Sequence, residues 1–205
     1  MGTRVKICGI TNLADAQAAV GAGADALGFN FYEKSPRFVS LKTAAEISRQ
    51  LPPFVIRAGV FVNAPEDFVL RAISEVGLTM LQFHGDEPPE FCKQFGLMSM
   101  KVFRVRDEKS LEQIPNYQTD AYLLDAFSAT APGGTGEKFN WDLAVEAQKF
   151  GKPIFLAGGL TPENVADAVR QVRPFAVDVS SGVEISPGKK DHAKVQAFIK
   201  TVREA

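Results

Sequence analysis

Cysteine and histidine are scarce in this chain: two of each, Cys8, Cys92, His84 and His192, are spread over 205 residues. Zinc sites draw their ligands from closely spaced pairs, so this scatter argues against a metal. Two such distant thiols, in a chain without a sign of secretion, are also poor material for a disulfide. Long apolar runs are missing too. No stretch approaches the ~20 residues of a membrane span, and the opening "MGTRVKICGI" lacks the apolar region of a secretory signal. Neither charge is in excess, since 23 Lys and Arg against 24 Asp and Glu leave a formal net charge of -1. Without a basic stripe there is no electrostatic footprint for nucleic acid or an anionic membrane surface. The expectation is a cytoplasmic protein with no nucleic-acid or membrane partner, in which any anionic ligand is held locally.

What is present is material for a core. A hydrophobic fraction of 45% over 205 residues suits one domain spanning the whole chain, residues 1–205. Short apolar runs alternate with amphipathic segments of ten or more residues, the pattern of parallel strands joined by crossover helices. The strands are read at Arg4 to Cys8, Ala26 to Phe29, Ile56 to Phe61, Met80 to Phe83, Met100 to Val105, Ala121 to Asp125, Ile154 to Ala157 and Ala176 to Val179. Helix starts are read at Asn12, Ser40, Asn63 and Thr161, each offering an oxygen to orphan N–H groups. Eight strands, each followed by a helix and none with the look of an edge, favour a closed (β/α)8 TIM barrel over an open sheet. Two connections are long for so small a barrel, "NFYEKSPRFV" and "AFSATAPGGTGEKF". Functional loops are expected there, because barrel active sites lie at the carboxyl ends of the strands.

Cys8 closes the first strand and Asp125 the sixth, so both are expected at that mouth. Cys8 reads either as a reactive thiol or as a small core residue. Asp125, after the run "AYLL", is either a retained functional charge or a loop cap. Gly158 and Gly159 in "AGGLTPENV", with Ser180, Ser181 and Gly182 in "VDVSSGVEIS", stand where phosphate binds in this fold, or the glycines are plain turn residues, and a short extra helix is expected after the eighth strand. Arg37 in "EKSPRFV" carries a fork suited to a carboxylate, or is a solvated surface residue. His84 faces the mouth or is satisfied by nearby backbone, and its role is open. "GGTGEK", Gly133 to Lys138, lacks the lysine followed by Ser or Thr of a nucleotide loop and reads as a flexible lid. Cys92 is expected to pack on a short helix, and His192 to sit at the surface where the last helix begins.

The segments "VKICGIT", "SPRFVS", "GVFVN", "LQFHG", "LLDAF" with "GGTG", "FLAGGLTPENV" and "DVSSGVE" with "SPGKKD" resemble, in order, those of phosphoribosylanthranilate isomerase of tryptophan biosynthesis. Phe83, where leucine is expected, is a small departure. The resemblance implies an Amadori rearrangement of a small phosphorylated substrate, chemistry that needs no metal or organic cofactor; a barrel of this size is expected as a monomer or homodimer. It implies Asp125 as general acid at the sugar ring oxygen and Cys8 as general base at C2. Arg37 then holds the anthranilate carboxylate, His84 and Asp178 adjoin the substrate, and Gly158, Gly159, Ser180 and Ser181 grip its phosphate. Rival readings are another phosphate-binding barrel enzyme or a non-catalytic phosphosugar sensor. An indoleglycerol-phosphate synthase is expected to use lysine and glutamate at the strand ends, and neither is read at this mouth.

Overall fold

The apolar runs form parallel strands in chain order: β1 (Arg4–Cys8), β2 (Ala26–Asn30), β3 (Ile56–Phe61), β4 (Met80–Phe83), β5 (Met98–Val105), β6 (Ala121–Ala126), β7 (Ile154–Ala157) and β8 (Ala176–Val179). β8 pairs with β1 and closes the barrel. The structure, a computed structural model, describes residues 2–126 and 141–205; the stretch Gly133 to Lys138, read above as a lid, lies outside them. The helices are α1 (Leu13–Gly21), α2 (Leu41–Ser48), α3 (Glu66–Val76), α4 (Pro89–Lys93), α5 (Trp141–Ala147), α6 (Val165–Val172) and α7 (His192–Glu204). α6 buries Val165, Ala168, Val169 and Val172, and α7 buries Val195, Phe198, Ile199 and Val202. Both sets follow the i, i+3, i+4, i+7 spacing that lays one helix face on the sheet. Among the described residues, no helix is long and apolar enough to cross a membrane.

Four expectations need correction. Asn63 does not cap α3, which begins after Pro65; it sits at φ 50°, and its Oδ1 accepts from the N–H of Asp86 instead. Thr161 opens a turn, its Oγ1 accepting from Glu163, and α6 starts after Asn164. Between β5 and β6 the chain makes two 3-10 turns, Glu108–Leu111 and Ile114–Asn116, in place of a helix. Pro115 cannot donate to a helical ladder there. The extra helix expected after β8 is a single 3-10 turn, Ser181–Val183, followed by a small hairpin of β9 (Glu184–Ser186) and β10 (Lys189–Lys190).

The register decides what the barrel presents at its mouth. Cys8 pairs with Gly28, Gly28 with Ala58 and Ala58 with Met80. Because the strands tilt, each successive strand stands about one residue higher at a given level, and alternate strands supply each interior layer. Cys8, Val60, Val102 and Ala157 therefore form one layer. Gly28, Gln82, Leu123 and Asp178 lie beneath it; Asn30, His84, Asp125 and Ser180 stand above. Deeper in the barrel, Ala58, Met80, Met100, Phe155 and Ala176 pack into a buried apolar plug.

Candidate active site

Two residues before Cys8, strand alternation turns Lys6 to the same interior face. Lys6 is buried, and its Nζ lies 2.8 Å from Asp178 Oδ1 across the β1–β8 seam. Gly28 leaves the space these groups occupy, since a Cβ there would come within 2.8 Å of Cys8 Sγ and 3.2 Å of Lys6 Nζ. Burial pushes the Cys8 thiol above its ordinary range; Lys6 and Lys190 pull it back, while Asp178 adds to the rise. Burial also works against the Lys6 ammonium, but Asp178 and Cys8 outweigh it, and the lysine stays charged.

Gly9, at φ 78°, turns the chain out of β1 and also makes room for Arg37, whose Cδ would lie 2.7 Å from a Cβ at that position. Arg37 grips Glu184 with both Nε, at 2.9 Å, and Nη2, at 2.7 Å. Glu184 in turn accepts from buried Lys190 at 2.8 Å, and Lys190 Nζ reaches Ser180 O at 3.3 Å. Burial alone would raise the Glu184 carboxyl; the two cations more than offset it and hold it below its ordinary range. This chain of ions ties the second βα loop to the eighth and gives the arginine fork a fixed direction.

On the β4–β6 side, His84 Nε2 lies 3.6 Å from Asp125 Oδ2. The backbone beside His84 is fastened by a buried pair, Glu87 and Lys101, 2.8 Å apart. Glu87 accepts from the N–H groups of Asn63 and Gly85, and Lys101 donates to Gly85 O.

Gly158 and Gly159 take φ 87° and 64°, and the Asn164 side chain locks the turn by donating to Gly159 O and accepting from Thr161 N. The eighth loop presses directly on the seventh: a Cβ on Gly182 would lie 1.9 Å from Leu160 O. Only a residue without a side chain permits that approach.

The expected residues are therefore brought to one end of the barrel by β1, β4, β6, β7, β8 and the second loop. Two of the other residues behave as their positions implied. Cys92 packs on α4, its thiol pushed up to about 12 by burial. His192 opens α7, half-exposed, with its Nε2 2.8 Å from Asp15 Oδ1. An open groove of about 640 Å³ beside that contact is lined by Asn12, Asp15, Lys190 and His192 among others, and by none of the expected site residues. None of the eight barrel strands ends in lysine or glutamate, but Lys6 inside β1 and Lys190 and Glu184 in the hairpin after β8 bring both residue types close to the mouth. Period-two alternation from Cys8 was enough to find Lys6; Lys190 and Glu184 face the site only because the hairpin folds back.

A closed eight-stranded βα barrel with a thiol, an imidazole and a carboxylate at the carboxyl ends of its strands, beside two glycine-cornered loops, has the layout of a (β/α)8 barrel enzyme. A family profile described as N-(5'phosphoribosyl)anthranilate (PRA) isomerase matches residues 5–201. N-(5'-phosphoribosyl)anthranilate isomerases of Geobacter sp. (strain M21) and Geobacter sulfurreducens are 56% identical over 96% of both chains and 54% identical over 98% of both chains, respectively. The crystal structure of phosphoribosyl anthranilate isomerase from Thermotoga maritima superposes with a TM-score of 0.92 at 46% identity, covering 99% of this chain and 100% of that one. A further isomerase structure, in complex with reduced 1-(o-carboxyphenylamino)-1-deoxyribulose 5-phosphate, matches with a TM-score of 0.90 at 45% identity over 99% of this chain and 100% of that one. The chain belongs to the N-(5'-phosphoribosyl)anthranilate isomerase family.

Proposed function

We propose that this chain, as one barrel domain, converts N-(5-phosphoribosyl)anthranilate into 1-(o-carboxyphenylamino)-1-deoxyribulose 5-phosphate, an Amadori rearrangement in tryptophan biosynthesis. Beyond family membership, the observation that carries the reading is the delivery of Cys8 and Asp125 by β1 and β6 to one mouth, next to the glycine-cornered loops of β7 and β8.

In this mechanism the phosphate sits on backbone N–H groups of Gly158, Gly159, Ser180 and Ser181. Arg37, held by Glu184, keeps Nη1 for the anthranilate carboxylate. Asp125 donates a proton to the furanose ring oxygen, and the ring opens to an iminium. His84 faces that carboxyl and restrains it. The iminium acidifies the proton on C2, which Cys8 removes to give the enolamine; ketonisation then yields product. A thiol raised by burial is a stronger base once ionised, and Lys6, anchored on Asp178, offsets part of the cost of the thiolate.

The test is the decay of substrate fluorescence with substrate generated in place, for wild type, Cys8→Ala and Asp125→Asn. Each variant is expected to lose about 10² to 10⁴ in kcat while keeping its fold. Wild-type protein that binds a phosphorylated sugar but returns it unchanged would overturn the enzyme reading in favour of a sensor.

A further inference from the structure

One interior side chain carries a buried oxygen that the protein leaves without a partner. Gln82 is 2% exposed, and its Oε1 has no hydrogen-bond partner. Folded proteins rarely leave a buried amide in that condition, because its desolvation is uncompensated. The other such atom among the described residues, Arg57 Nε, belongs to an outward-facing position low on β3.

The position of Gln82 explains why the fold supplies no partner. Its register neighbours are Val60 on β3 and Met100 on β5, both apolar. In its own layer, Gly28 has no side chain, Leu123 has no polar atom, and Asp178 faces it from the opposite wall with its carboxylate already given to Lys6. The plug below is closed by Ala58, Met80 and Met100. Above lie the layers of Cys8 and of His84 and Asp125, where a ligand enters. The side of the amide that the plug does not close is the side toward the mouth.

We propose that the Gln82 carboxamide is a substrate-binding group that receives a hydroxyl of the ribosyl portion of the substrate at the floor of the site. This rests on the isomerase reading above. The class of group follows from the chemistry: the unpartnered atom is an acceptor, and a hydroxyl is a donor that can meet it. The substrate's two anionic ends are matched elsewhere, the phosphate by the loops after β7 and β8 and the carboxylate by Arg37. Between those ends the substrate offers three donors, the C2 and C3 hydroxyls and the anilino N–H, and the two hydroxyls lie on the ribosyl portion assigned to the floor.

A ligand-binding amide and a structural one respond in opposite directions to Gln82→Met, which keeps length and volume and removes the amide. With a ligand-binding role, the ligand-free variant melts at the wild-type temperature or above it, because an unpaired buried dipole is gone. Its kcat/KM falls about 10-fold or more, and reduced 1-(o-carboxyphenylamino)-1-deoxyribulose 5-phosphate binds about 10-fold more weakly, while competition by inorganic phosphate is unchanged. Conversion by wild type tests the isomerase reading separately, and binding of the reduced product tests Gln82 whether or not conversion is seen. Unaltered affinity for the reduced product would overturn the proposal, and so would equal weakening of the reduced product and inorganic phosphate, which would mark distortion of the site.

Discussion

Lys6→Met is the sharpest test of how the barrel interior is held together. The Lys6–Asp178 pair has side chains only 1% and 8% exposed. Replacing the lysine with an apolar chain of similar length leaves a carboxylate buried without its counter-ion. Removing one partner of such a pair costs about 3–5 kcal/mol. At roughly 2–4 °C per kcal/mol for a domain of this size, the melting temperature should fall by about 6–20 °C. Adding Asp178→Asn should recover most of that loss, since the stranded charge is then removed as well. The loss should hold across the whole neutral range: Lys6 is raised above its ordinary 10.5, so the pair stabilises below that value and fails only as pH climbs through the higher folded-state pKa. A second readout follows the thiol. Without the ammonium beside it, Cys8 should rise further, moving its iodoacetamide reactivity to higher pH. Cys92, pushed up to about 12 and buried, stays silent in the native protein. A melting loss below about 2 °C, or an alkylation profile that does not move, would refute the reasoning.

Gly182→Ala drives a methyl to within 1.9 Å of Leu160 O, a backbone atom with no rotamer to give way. The two loops must part, at about 1–3 kcal/mol, and calorimetric titration should show affinity for phosphorylated ligands falling more than stability does; unchanged affinity would separate Gly182 from the phosphate site. The acid limb of stability should be set by carboxylates that are depressed in the fold, Asp15, Asp25 and Glu184. For Asp15, burial opposes ionisation, but the N–H of Lys190 and the side chains of His192 and Asn12 more than reverse it. A depressed group stabilises above its unfolded value near 3.8 and loses that contribution as pH falls through its folded value. Asp15→Asn should therefore cost about 1–3 kcal/mol in urea melts at pH 7 and much less near pH 3; an equal loss at both would count against it.

Much of this architecture is local in origin, and so legible in the chain. β3, β4, β7 and β8 span the expected residues, because a four-to-six-residue apolar run bounded by turn residues has few other ways to bury itself. Asn12 and Ser40 accept from N–H groups three residues on, Asp15 and Thr43, as caps do. Where a loop had a better use for a side chain, the same reasoning failed: Asn63 spends its oxygen on the fourth loop, not on the helix behind it. Cys8, Asp125 and the glycine corners were likewise found from the ends of apolar runs and the freedom glycine allows.

Closure of the barrel decided the rest. Lys6 and Asp178 are 172 positions apart in sequence, and Arg37 and Glu184 are 147 apart. They meet because the last strand returns to the first and the hairpin after it folds over the second loop. Gly9 and Gly28 look like turn and strand glycines until Arg37, Cys8 and Lys6 are seen filling the space their missing side chains leave. The chain by itself determined which runs become strands and which strand ends carry reactive groups, since those follow from polarity and local backbone preference. Which charges neutralise one another, and which buried amide is left waiting, came only from the tertiary structure, because both depend on the shear with which eight strands meet around a ring.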